Sequence, residues 1–403
     1  MRAGDDHRGG DMSVSLGLPR LRDTGPGPSG APSGAGLMDR HGRRATDLRL
    51  SVIDKCNLRC TYCMPAGGLP WLPAAQLMTP AEITRIVRVG VEQLGVTELR
   101  LTGGEPLVRA DLEEIVAGIR AAHPDLPVSL TTNGIGLAAR AQGLAAAGLT
   151  RINISLDSLD AATFRTLARR DRLTDVLAGA EAAAAAGLTP VKINAVLMRG
   201  VNDHEAPDLL AWALARGFAL RFIEQMPLDA DHGWTRADMV TAAEIRHRLA
   251  GRFRLAPHPG PREGAPAELW DVHPRTASAA PVDSGATSDA TSAAPPAAAS
   301  ALRPGTQDPP LGTVGVIASV TEPFCADCKR TRITAEGRIR SCLFSHEEVE
   351  LLPLLRTGAT DAQLADRWRA AMWAKPAAHG MDHVGLDSPD YVQPERSMSA
   401  IGG

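Results

Sequence analysis

The sequence has no charge bias, no apolar run of membrane length and few cysteines, and each absence closes a class of function. Lys plus Arg number 43 against 46 Asp plus Glu, a formal net charge of -3, so the chain offers no general attraction for a nucleic-acid polyanion. No stretch is apolar for the length that a bilayer span requires, and the Gly/Pro-rich amino end lacks the apolar centre of a secretory signal. A cytoplasmic protein with no nucleic-acid and no membrane partner is therefore expected. Six cysteines in 403 residues are too sparse for the disulfide framework of a small secreted domain, which leaves metal binding as their leading use. They fall into two trios: Cys56, Cys60 and Cys63, then Cys325, Cys328 and Cys342.

Two segments are too rich in small residues and proline to bury a core. Residues 1–38, through "DTGPGPSGAPSGAG", are expected to be a disordered extension, with Met38 a candidate start. Residues 275–310 read as a disordered low-complexity insertion whose deletion leaves catalysis intact. Between them β-like runs at 48–54, 98–102, 128–133, 151–157, 191–198 and 220–226 alternate with helical runs at 80–94, 111–122, 136–147, 160–169, 174–186 and 204–216. That alternation predicts parallel strands joined by right-handed crossovers, hence an α/β barrel or a doubly wound sheet.

The strand faces carry more. In "RINISLD", Ile152, Ile154 and Leu156 point one way while Asn153, Ser155 and Asp157 point the other, because successive side chains alternate. Arg49 and Ser51, Arg100 and Thr102, Thr131 and Asn133, and Lys192 and Asn194 pair in the same manner. Alternation alone fits an antiparallel sheet with one solvated side. With helices covering the apolar side, the polar side lines a lumen instead, and Arg49, Arg100, Lys192 and Arg221 then demand an anion such as phosphate.

Cys56, Cys60 and Cys63 follow the first strand at the mouth where α/β barrels place their chemistry. A tetrahedral zinc site would need a fourth donor, and no histidine or further cysteine lies nearby. Three thiolates from one loop suit three irons of a four-iron cubane whose fourth iron stays open to a substrate. "TGGEPL" ends the second strand with two glycines, which alone read as a tight turn but also let a backbone approach a ligand closely. In the second trio, spaced C-x2-C-x13-C, His346 follows Cys342 by four positions and completes a zinc pattern, the reading that spacing alone favours. A second open cubane fits as well. Beside it, Arg330 and Arg332 share one face of an extended segment, placed to meet phosphates.

Taken together, "DLRLSVIDKCNLRCTYCMP", "LRLTGGEPL", "TTNG", "RINISLD", "RFIEQM", "FCADCKRTRI" and the terminal "IGG" resemble the GTP 3',8-cyclase (MoaA) family of molybdenum cofactor biosynthesis, within the radical S-adenosylmethionine superfamily. The likeness runs from Asp47 to Gly403, interrupted by the insertion. It implies an α/β, incomplete (β/α)6-type TIM-like barrel over 39–240 and a C-terminal extension, 241–403, that carries a second Fe-S cluster. It also implies a lyase using two [4Fe-4S] clusters and S-adenosylmethionine, the first held by Cys56, Cys60 and Cys63 and the second by Cys325, Cys328 and Cys342. Tyr62, Gly104, Ser155 and Met226 correspond to cofactor contacts. Arg49, Arg100, Thr131, Lys192, Arg330, Thr331 and Arg332 correspond to GTP contacts, and Gly402 and Gly403 to a tail that reaches the active site. Glu98 departs from the pattern, standing where some relatives carry lysine. The implied partners are GTP, an electron donor and, downstream, cyclic pyranopterin monophosphate synthase; the resemblance allows a homodimer. The alternatives are another radical S-adenosylmethionine enzyme with an auxiliary cluster, acting on a peptide, and a zinc-binding interaction module.

Overall fold

The structure is a computed structural model that describes residues 20–21, 34, 36–275, 309–379 and 393–402. The disorder expected of 1–38 and 275–310 falls largely outside them, and so does Gly403. Two compact units divide the chain: Met1–Val128, Pro227–Trp234 and Lys329–Gly403 form the first, Ser129–Met226 and Thr235–Cys328 the second.

The first unit holds β1 (Arg20–Leu21), β2 (Asp47–Ser51), α1 (Pro80–Leu94), β3 (Glu98–Thr102) and α2 (Leu112–Ala122) from the early chain. From the late chain it takes β11 (Arg330–Ile333), β12 (Arg338–Arg340), β13 (Glu347–Glu350), α8 (Leu352–Arg356), α9 (Asp361–Trp373) and α10 (Met398–Ile401). Their strand order is β1-β13-β12-β11-β2-β3, with β11 parallel to β2 and β2 parallel to β3. Helix α1 starts where a Thr79–Glu82 capping box and Pro80 satisfy the first-turn donors, and stops at Gly95 in the left-handed region, as helix-end chemistry predicts. Strand β1 pairs with β13, and Leu37 is buried.

The second unit begins at β4 (Val128–Thr132), whose first residue is the last of the first unit. It continues with α3 (Leu137–Ala146), β5 (Arg151–Ser155), α4 (Ala161–Ala168), α5 (Leu173–Ala185), β6 (Val191–Leu197), α6 (Ala206–Ala215) and β7 (Ala219–Glu224). After α7 (Ala242–Ala250), the strands β8 (Phe253–Pro257), β9 (Glu268–Pro274) and β10 (Gly312–Ile317) complete it. The order is β4-β5-β6-β7-β10-β9-β8, parallel through β10 and antiparallel beyond. Neither order closes on itself among the described residues, in keeping with an incomplete barrel rather than a closed one. No helix among them is long and apolar enough to cross a membrane.

Candidate active site

The first cysteine trio sits on a long loop that leaves β2 and ends at α1. Asp54 closes the loop by accepting a hydrogen bond from the Leu72 N–H at 2.6 Å. Arg109 fastens both of its ends, donating to the carbonyls of Val52 and Met78 while paired with Asp111. Inside the loop, the N–H groups of Cys63 and Met64 both donate to the Cys60 carbonyl at 3.0 Å, and Arg59 donates to the Cys56 carbonyl at 2.7 Å. All three cysteines are half-buried. Burial first, and the neighbouring Cys56 second, push the Cys63 thiol up to about 12, against hydrogen bonds from Ser399 of α10. Three cysteines on one loop, with Cys63 disfavoured as a bare thiolate, supply the soft donors of an iron-sulfur cluster, so the donor set fits iron.

The glycine pair has a different first task from the one its sequence suggests. A Cβ on Gly104 would lie 2.3 Å from the Asp54 carbonyl oxygen, and one on Gly103 would lie 2.4 Å from that of Ile53. The close approach is therefore to the root of the cysteine loop, where Gly104 N–H donates to Ile53 and Glu105 N–H to Lys55, each at 2.7 Å. Tyr62 is half-buried within the same loop.

Three arginines line up beside this loop. Arg332, Arg49 and Arg100 occupy one register row across β11, β2 and β3, with Arg330, Asp47 and Glu98 in the row two residues earlier. In-register residues of a parallel sheet share a face, so this face grades from acid to base toward the strand ends that feed the cysteine loop. Burial works to raise the Asp47 carboxyl, but Arg49, Arg100, Arg330 and Arg332 outweigh it and hold it below the usual carboxylate range. Two carboxylates, Asp47 and Glu98, against four guanidiniums still leave positive charge for a ligand to neutralise. Thr331 points the other way: its hydroxyl accepts from the Trp368 indole N–H at 2.9 Å and is fully buried. Alternation along β11 puts its side chain on the face opposite Arg330 and Arg332.

The C-terminal tail docks in the same unit. Gly402 has φ 80° and its Cβ would stand 2.5 Å from Thr102 Cγ2, so only glycine fits there. Arg332 Nη1 donates to the Gly402 carbonyl at 2.6 Å, and the Met398 N–H donates to the Leu228 carbonyl at 3.0 Å.

In the second unit, Thr131, Asn153 and Lys192 form one register row across β4, β5 and β6, and the next row along the same face pairs Ser155 with Asn194 and Asn194 with Arg221. Thr131 Oγ1, Asn153 Oδ1 and Asn194 Oδ1 are buried and meet no hydrogen-bond partner among the described residues, a cost that a polar ligand would repay. Burial lowers the Arg221 guanidinium, and repulsion from Arg151 adds to it. Met226, half-buried, follows β7. Cys325 and Cys328 stand on a single 3-10 turn of this unit, closed by the Cys328 N–H on the Cys325 carbonyl at 3.2 Å, whereas Cys342 lies in the first unit just past β12. His346 lines a cavity of about 200 Å³ with Arg40, Ser341 and Glu347. Among the described residues no three His, Cys, Asp or Glu side chains stand close enough to hold a single metal ion.

Several positioning residues carry no signal in the sequence. Arg109 is one. Glu224, fully buried, is another: its carboxylate accepts from the N–H groups of Ala242, Val320 and Thr321 and so fixes the segment leading to Cys325.

The GTP 3',8-cyclase of Paenarthrobacter nicotinovorans is 64% identical over 378 residues, spanning 93% of this chain and 100% of that one. That of Mycolicibacterium smegmatis is 52% identical over 396 residues, 97% of this chain and 99% of its own. The chain belongs to the GTP 3',8-cyclase family. Two family profiles divide this chain as its cysteines do. "Radical SAM superfamily" matches 50–213 and "Molybdenum Cofactor Synthesis C" matches 289–381. The chain is thus a radical S-adenosylmethionine enzyme, a class that works with a [4Fe-4S] cluster and S-adenosylmethionine. Streptococcus suis SuiB bound to precursor peptide SuiA is similar at a TM-score of 0.43 and 17% identity, covering 52% of this chain and 46% of that one, too distant a likeness to carry weight.

Proposed function

We propose that the protein converts GTP to (8S)-3',8-cyclo-7,8-dihydroguanosine 5'-triphosphate, the first step of molybdenum cofactor biosynthesis, in the cytoplasm. The observation that carries this reading is the register row of Arg332 and Arg49, both buried, with half-buried Arg100, in the same compact unit as the Cys56, Cys60 and Cys63 loop: an anion site beside a cluster site suits a phosphorylated substrate.

Cys56, Cys60 and Cys63 would hold the first cluster, with Tyr62, Gly104, Ser155 and Met226 lining the S-adenosylmethionine. When bound, these two groups supply the 5'-deoxyadenosyl radical that removes the 3' hydrogen of the ribose. Arg49, Arg100, Lys192, Arg330 and Arg332 neutralise the triphosphate, and Thr131 adds a hydroxyl contact. Holding the phosphates at several points fixes the ribose and keeps C3' against C8 of the same nucleotide, so the residues work by proximity and by excluding competing hydrogen donors. Cys325, Cys328 and Cys342 would hold a second cluster for the guanine base, and Gly402 with Gly403 bring the tail to the substrate. An electron donor supplies the reducing equivalents, and the product passes to cyclic pyranopterin monophosphate synthase.

Anaerobic reconstitution followed by metal and product analysis tests the proposal. It requires about eight irons per chain with matching sulfide and a GTP-derived product of unchanged mass number carrying the C3'–C8 bond. About four irons, or zinc in the second trio, would remove the second cluster; intact GTP under reducing conditions would remove the activity.

A further inference from the structure

The tail is fastened some residues before its glycines, by a buried charge cluster on β12 and β13. Glu348 is fully buried, and Arg340, 1% exposed, donates to it at 2.7 Å. Arg338 reaches Glu348 at 3.4 Å and Glu350 at 3.2 Å. Into this pair of strands Arg396 inserts from the tail. Its Nη2 donates to both Glu336 and, at 2.8 Å, Glu348. Its Nε stands 2.6 Å from Glu348 Oε1, close enough for charge pairing though not aligned for a hydrogen bond.

The charges say what Arg396 is for. Glu336, Glu348 and Glu350 face Arg338 and Arg340, so three acids meet two bases and Arg396 supplies the third. Arg396 is the member of the cluster that comes from the tail, and without it each acid still keeps an arginine on β12. Among the described residues of 393–402, the other side-chain anchor upstream of α10 is Gln393, which donates to Asp229. Past Arg396 the segment runs through Ser397, the start of α10, to the Gly402 carbonyl on Arg332. Ser399 on the way bonds Cys63.

We infer that Arg396 is a positioning residue, a two-carboxylate clasp on Glu336 and Glu348 that sets the tail so that Gly402 meets Arg332 and Ser399 meets Cys63. Its fork geometry matters, since a lysine offers a point charge that satisfies one carboxylate and leaves the other. The consequence for catalysis rests on the reading that the tail handles substrate; the clasp itself does not.

Arg396→Ala and Arg396→Lys, in reconstituted full-length protein, test it with two readouts. Hydrogen–deuterium exchange over 397–402 should quicken about tenfold or more in Arg396→Ala and less in Arg396→Lys, while β12 and β13 stay protected, which also shows that the fold survives. The amount of 5'-deoxyadenosine formed per cyclised product should rise in Arg396→Ala, and removing Gly402 and Gly403 as well should add nothing. Unchanged tail exchange overturns the clasp whatever happens to turnover. Quickened exchange with the ratio unchanged overturns the positioning role. If shortening the wild-type tail leaves turnover intact, the reading of the tail fails instead, and the exchange data still decide the clasp.

Discussion

At the scale of single residues, the site is shaped by what will not fit. Gly104→Ala must displace the backbone that carries Asp54 and Lys55, since no flexible side chain is in the way to yield. We expect it to cost about 1 to 3 kcal/mol and to lower iron bound by the first trio, measured by denaturant unfolding and metal analysis. Asp47 gives a pH signature. Its folded pKa is depressed, so its contribution is present above the unfolded value near about 4 and is lost as pH falls through the lower folded value. Asp47→Asn should flatten that acid limb in unfolding curves measured below about pH 4 and should tighten anion binding at neutral pH. For Thr331→Val the expectation is a loss of about 1 to 3 kcal/mol, because the Trp368 indole is left buried without an acceptor, with GTP affinity unchanged. A fall in affinity would return Thr331 to the substrate face.

At the scale of elements, much was legible from periodicity. The runs at 80–94 and 98–102 match α1 and β3 residue for residue, and the other expected strands through β7 agree to within three residues at either end. Those segments have clean alternation or clean caps, so local chemistry and packing ask for the same conformation. The strands β8, β9 and β10 and the helices α7 and α9 were not read, although Thr241 with Glu244 and Thr360 with Gln363 form capping boxes that would have marked the helices. Tail helix α10 spans one turn and has no periodicity to read; tertiary contacts alone form it. The site was legible as residue types and not as directions: the row of Arg332, Arg49 and Arg100 depends on β11 pairing with β2, which no local pattern encodes. Glu224 shows the same limit. Glu224→Ala would strip an acceptor from the buried N–H groups of Ala242 and Val320 and the half-buried one of Thr321, and we expect several kcal/mol of destabilisation with selective loss of iron from the second trio, read by unfolding and by iron count.

At the scale of the whole molecule, the packing ignores the order of the chain. Residues 329–403 join the unit of the first strand, and Cys342 parts company with Cys325 and Cys328. Replacing Cys325 by Ala should leave cleavage of S-adenosylmethionine intact while stopping cyclisation, followed by separate assays of the two products. Equal loss of both would put the second cluster's role in doubt. The seat of Gly402, hemmed in by Thr102 and bound to Arg332, also bears on the bench. A purification handle fused after Gly403 would begin one residue beyond this enclosed glycine, so protein tagged there should turn over poorly until a protease removes the handle.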